Sequence, residues 1–139
     1  MEIVFLVGRI LFALVFVGFG IAHFTQAEGM KGYARAMGAP APELTVPLTG
    51  LVLVAGGAMV ALGVFADAAV LALGAFLILA AVIFHAYWKV DDAGEKQSQQ
   101  AQFNKNVALA GAALIVFYTF NQLQGGAELT LTDPLFGRG

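Results

Sequence analysis

Cysteine is absent from this 139-residue chain. That excludes disulfides, thiolate metal sites, thioether haem attachment and any dithiol relay within the chain. Charge is scarce too. Charged residues make up 12% of the chain, against roughly 25% in a soluble domain. The formal net charge is −2 and no basic stripe exists, so nucleic acid is not an expected partner. There is no lipidation motif, because the chain has no cysteine to acylate and does not open with Met-Gly. A cleavable signal is not expected either. The first apolar run far exceeds the about 7–15 residues of a signal core and contains Arg9, so it reads as a span that stays.

Apolar length is what the chain has. Hydrophobic residues account for 60% of it. Four runs stand out: Ile3–Phe24, Pro47–Phe65, Ala68–Trp88 and Phe103–Leu123. Each has the roughly 20 residues that a helix needs to cross a bilayer. The expected architecture is an all-α, integral-membrane, antiparallel four-helix bundle forming a single domain over residues 1–139. The four spans and their connections use the whole length, which leaves no room for a separate soluble domain. Glycines at 8, 18, 20, 50, 56, 57, 63 and 111 fit close helix packing in lipid, where small residues let backbones approach. The pair Gly56-Gly57 also suits a kink or a close ligand approach.

The connections carry their own signals. Within Thr25–Val46, the segment EGMKGYARAMG sets Met30, Tyr33, Ala34 and Met37 at helical spacing, with Lys31 and Arg35 on the other side. This predicts a short interfacial helix over Met30–Met37, Tyr33 toward the acyl chains and the two cations toward headgroups. A lid over a site in the bundle is the functional alternative. Gly38 suits the stop of that helix, and Pro40 and Pro42 block its continuation. Pro47 suits the first turn of the second span. Ala66-Asp67 form a tight hairpin turn. Asp91 or Asp92 can cap a helix that starts near Ala93 and runs through EKQSQQAQ into the fourth span.

Orientation follows from lysine and arginine. Lys31, Arg35, Lys89, Lys96 and Lys105 lie at one end of the bundle, and Arg9 and Arg138 at the other. This puts the loops 25–46 and 89–102 in the cytoplasm and both termini outside. Arg9, near the N-terminus, is expected to snorkel outward.

Polar groups gather at the cytoplasmic end. His23 closes the first span and His85 the third. Thr49 opens the second, Asn104 and Asn106 open the fourth, and Trp88 lies beside His85. Polar groups at membrane depth face the bundle interior and find partners. One reading is a structural hydrogen-bond network. The other is a ligand site, in which neutral imidazole donates to a quinone carbonyl and Trp88, Phe84, Phe19 and Phe24 stack on its ring. Bis-histidine haem ranks below both, since only one histidine pair exists and nothing else is specific to haem. A metal ranks lower still. His85, Asp91 and Asp92 match no known ligand spacing.

The segments GRILFALVFVGFGIAHF, MGAPAPEL and FHAYWKVDD resemble those of the DoxX family of small four-helix bacterial membrane proteins. The FNKNVALAGAALIVF stretch opening helix four matches most closely, and the LTLTDPLF tail is similar to the family's polar C-terminal segment. Many members carry an acidic residue early in helix two before a glycine pair. This chain has Thr49 there and no carboxylate in the expected span. The resemblance implies a bacterial inner-membrane protein linked to redox metabolism. One branch of the family contains a thiosulfate:quinone oxidoreductase subunit, and others are associated with oxidative stress or thiol handling. The absence of cysteine argues against a self-contained sulfur enzyme. Two functions stand side by side. One is an accessory component of a quinone-linked redox system, working with other membrane subunits. The other is a non-catalytic structural subunit of a larger respiratory or photosynthetic membrane complex. No constellation of residues assigns a reaction.

Overall fold

A computed structural model of the protein describes residues 1–122 and 129–137. Leu123, the expected end of the fourth span, and Arg138, counted in the charge balance, lie outside the described residues. Every regular element among the described residues is helical: α1 (Glu2–Thr25), α2 (Ala27–Ala36), α3 (Pro42–Leu62), α4 (Ala66–Phe84) and α5 (Ala93–Gln122), with a single 3₁₀ turn at Tyr87–Lys89.

Four segments are long and apolar enough to cross a membrane: α1, α3, α5, and α4 taken with the turn that follows it. Within them the protein covers only 22–33% of the most apolar stretch. The remaining apolar surface includes Ile3, Leu11, Leu14, Leu48, Leu51, Leu79, Leu114 and Ile115, all exposed. Helices apolar on every side, yet mostly uncovered by their own chain, require an apolar solvent, and a bilayer supplies one.

The register of contacts makes the bundle antiparallel. A Cβ at Gly20 would meet Val54, one at Gly50 would meet His23, and one at Gly57 would meet Val17, at 2.6, 2.7 and 2.9 Å. The seam between α1 and α3 is therefore closed by glycines that let the backbones touch. Gly56 faces the other way, and a Cβ there would stand 3.0 Å from Leu73 of α4. The Gly56-Gly57 pair thus serves two helix contacts at once. Gly8, Gly18 and Gly111 meet nothing within 4 Å and take no part in this packing. Phe16, Leu53, Val60, Val70, Leu73 and Leu77 fill the centre, with Ala13, Ala69, Ala110 and Ala113 among them.

The helix ends shift from their expected places for local reasons. α3 begins at Pro42, not Pro47. Pro42 sits in the first turn, where its missing N–H costs little, and Thr45 Oγ1 donates to Pro40 O and Ala41 O. Glu43 thereby joins a helix whose expected span has no carboxylate. α3 stops at Gly63 (φ 70°), where Val64 N donates to Met59 O and Gly63 N to Val60 O. This pair of bonds satisfies the last carbonyls, as a left-handed residue after a helix allows. α4 then starts at Ala66, so Asp67 lies in its first turn and not in a loop. α4 ends at Phe84, one residue before His85. Asp92 Oδ1 accepts from Glu95 N at 2.8 Å and caps α5. The 30 residues of α5 span about 45 Å, more than the roughly 30 Å of hydrocarbon.

Helix α2 forms, and Tyr33, 40% exposed, also meets the protein at its tip. Its hydroxyl donates to Phe84 O at 2.7 Å, and its ring lies 6.0 Å from that of Phe84. The end of α4 leaves carbonyls without helical partners, and Tyr33 satisfies one. Ala34 is buried beneath α2. Lys31 and Arg35 also find protein partners. Lys31 bridges Glu28 (2.8 Å) and Glu43 (3.2 Å), and Arg35 pairs with Glu43. The Glu28 and Glu43 carboxylates hold the Lys31 ammonium above its ordinary range.

Candidate functional sites at the two ends of the bundle

The loop end holds the histidines. His85 follows α4 directly and is half-buried. Its Nδ1 lies 2.8 Å from Gln99 Oε1 at the start of α5. An amide oxygen only accepts, so the proton is assigned to Nδ1 and Nε2 remains an acceptor, not the expected donor to a quinone carbonyl. His23 repeats the arrangement, with Nδ1 2.7 Å from Phe19 O in its own helix. Neither Nε2 has a protein partner among the described residues.

Aromatic rings surround the turn after His85. Tyr87, Trp88 and Phe103 meet edge to face, with centroids 5.2–5.6 Å apart. Trp88 is 50% exposed. Lys105 Nζ lies 4.8 Å above the Phe19 ring and donates to Gln102 Oε1, which ties α5 to α1. Thr49 is half-buried on α3, Asn104 is exposed, and Asn106 is buried. The structure joins His85 to Gln99 and gathers Tyr87, Trp88 and Phe103. Among the described residues no hydrogen bond links His23, Thr49, Asn104 or Asn106 to His85. Gln99 is one of several glutamines in EKQSQQAQ. Only the reversal of the chain through the 3₁₀ turn selects it as the partner of His85. No group of three His, Asp or Glu among the described residues could hold a metal ion.

The tail end carries few polar residues in the sequence, and here the structure departs most from expectation. Arg9 does not snorkel outward. It is 2% exposed, and its Nη2 donates to Leu129 O at 2.7 Å. The chain after α5 returns across this end and covers it. Leu131 N donates to the carbonyls of Leu62 and Gly63, Thr132 N to Gly63 O, and Phe65 N to Thr132 Oγ1. Asp67 is fully buried and accepts from Phe136 N at 2.7 Å through Oδ2. The alternating LTLTD run thus pairs with the α3–α4 turn instead of forming strand structure. Arg9 Nε and Nη1, Asp67 Oδ1 and Asn121 Oδ1 are buried with no hydrogen-bond partner among the described residues. An arginine inside an apolar run is the one signal of this site in the sequence. Asp67 gives none, since a carboxylate in a hairpin turn is ordinarily solvated.

A family model described as DoxX matches residues 4–86, which covers α1 to α4 and His85 and ends before FNKNVALAG. Inner membrane protein YphA of Escherichia coli (strain K12) is 30% identical over 118 residues, 84% of this chain and 83% of that protein. Inner membrane protein YqjF of the same organism is 27% identical over 114 residues, 82% of each chain. No solved structure matches the chain significantly.

Proposed function

The chain belongs to the DoxX family, and from that premise we propose that it is an inner-membrane accessory component of a quinone-linked redox system. Two of its relatives are named inner membrane proteins, and its apolar outer surface suits that place. The observation that carries the redox reading is the environment of His85. Its Nδ1 proton is held by Gln99, its Nε2 is free to accept, and the half-exposed face of Trp88 lies three residues away. A flat headgroup bearing a hydroxyl fits such a place, because Nε2 takes the hydroxyl proton and the indole covers the ring. Bound there, a quinol supplies electrons and protons to a partner that carries the redox centre. Gln99 orients His85 through Nδ1 and leaves Nε2 as the nitrogen that accepts. Trp88, Tyr87 and Phe103 hold one another edge to face and keep the ring plane of the site defined. His23, with the same tautomer, offers a second acceptor at the same end.

Purification in mild detergent followed by extraction and chromatographic quantification of quinone tests this. Quinone in a fixed ratio to protein is expected, and His85→Ala is expected to lose it while helical circular dichroism stays unchanged. Quinone no higher than in the detergent-solubilised lipid background would sink the proposal.

A second reading, a structural subunit of a larger respiratory or photosynthetic complex, is favoured by Gly8, Gly18 and Gly111. These glycines face open space, where a foreign helix could approach closely. Elution as a stable large assembly without quinone would support it.

A further inference from the structure

Among the described residues, the single arginine of α1 is buried without an ionic partner. Its Nε and Nη1 carry three N–H donors between them, and none has a partner among the described residues. The rings of Phe5 and Phe120 stand 5.9 Å from the guanidinium carbon and 5.2 Å from each other. Aromatic faces attract a cation, but they do not replace its hydrogen bonds. All ion pairs among the described residues lie around α2, on Lys31 and Arg35. Asp67, the other buried charge, spends Oδ2 on Phe136 N and does not pair with Arg9. A guanidinium keeps its charge at any physiological pH. In a low-dielectric interior an unpaired one is costly. Charged groups at membrane depth accordingly mark ligand and ion pathways.

We propose that Arg9 anchors a binding site for one small oxyanion group at the tail end of the bundle, with Leu129–Gly137 as its cover. The planar guanidinium suits the oxygens of a sulfate or phosphate. The same chemistry is offered by a free anion and by the headgroup phosphate of an anionic lipid. The cover is lightly held. Leu131, Leu135 and Phe136 are 71%, 58% and 59% exposed, Phe136 meeting Phe117 at 6.0 Å between ring centroids, so hydrogen bonds to the α3–α4 turn, Arg9 and Asp67 carry most of its attachment. A segment with few buried apolar contacts opens at low free energy, which gives the anion a route in. The site lies at the opposite end of the bundle from His85 and stands independently of quinone binding there.

The test is thermal unfolding of the delipidated full chain in dodecyl maltoside. One arm titrates sodium sulfate against sodium chloride at matched ionic strength. The other compares phosphatidylglycerol with phosphatidylcholine in mixed micelles. A saturable rise in Tm of several degrees is expected in at least one arm, and its absence in Arg9→Gln. A response to sulfate identifies a free-anion site, and a response to phosphatidylglycerol alone identifies a headgroup site. No rise in either arm, or an equal rise in Arg9→Gln, overturns the proposal. If Arg9→Gln does not fold, Arg9→Lys decides. It keeps the charge and loses the planar donors, so its half-saturation is expected at clearly higher anion concentration. An unchanged half-saturation point overturns the site.

Discussion

At the loop end, His85 shares its Nδ1 proton with Gln99 and keeps part of its ring open. At the tail end, Arg9 and Asp67 are covered almost completely, and each retains at least one polar atom with no partner among the described residues. A half-exposed imidazole can be completed by water or a headgroup at little cost. A buried guanidinium has no such recourse, so fewer polar residues carry more unbalanced electrostatics at the tail end. The two ends are also closed differently. The loop end is held by helix against helix, through Gly20 and Gly50 and through Tyr33 on Phe84 O. The tail end is closed by one irregular segment laid over the α3–α4 turn. Density of polar residues is therefore a poor guide to where a membrane bundle keeps its unbalanced charge.

The largest expected difference between the ends is which compartment each one sees. Single cysteines at Ser98 and Gly137 should respond oppositely to a membrane-impermeant thiol reagent on intact cells, position 137 labelling and position 98 not. The reverse pattern inverts the orientation, and labelling of both removes the four-span topology.

A smaller contrast comes from paired glycine changes. Gly50→Ala places a Cβ 2.7 Å from that of His23, between two helices that cannot part locally. The expected loss is about 1–3 kcal/mol, typical of overpacking, seen as a lower Tm in detergent. Gly63→Ala meets Thr130 at 2.6 Å and strains a φ of 70°. Its neighbour is the tail, which can lift. The expected outcome is faster proteolysis of the C-terminal segment with a smaller change in Tm. Equal Tm losses would mean that the tail is as firmly built as the helix seam.

The smallest expected effect is that of Tyr33→Phe. It removes one hydrogen bond, to Phe84 O, worth about 0.5–1.5 kcal/mol. Amide exchange in α2 should quicken while α1 and α3 stay protected. Unchanged exchange would show that α2 is held by Ala34 and the Glu43 ion pairs without Tyr33.

The helix count, the amphipathic α2, the glycine stop at Gly38 and the cap of α5 at Asp92 are all legible in the sequence. Each depends on contacts within a few residues or on spacing along one helix. Gly38 has φ 74°, with Ala39 N donating to Ala34 O and Gly38 N to Arg35 O, the bonding that a left-handed residue after a helix provides. The start of α3 is not legible, because two prolines five residues apart each suit a first turn. Nor is the partner of Tyr33, since an outward face on a short helix can meet either lipid or another helix.

From its sequence alone, this protein is four apolar helices with a polar collar at the loop end. Those features follow from hydrophobic length and from the needs of single turns, which neighbouring residues satisfy. The inward turn of Arg9 and the burial of Asp67 depend on contacts at sequence separations of 120 and 69. Only folding brings the tail back over the bundle, and a carbonyl at Leu129 has no sequence signature that distinguishes it from any other. The choice between snorkelling and burial for Arg9 is a competition between water and that carbonyl, and tertiary structure decides it by closing the end.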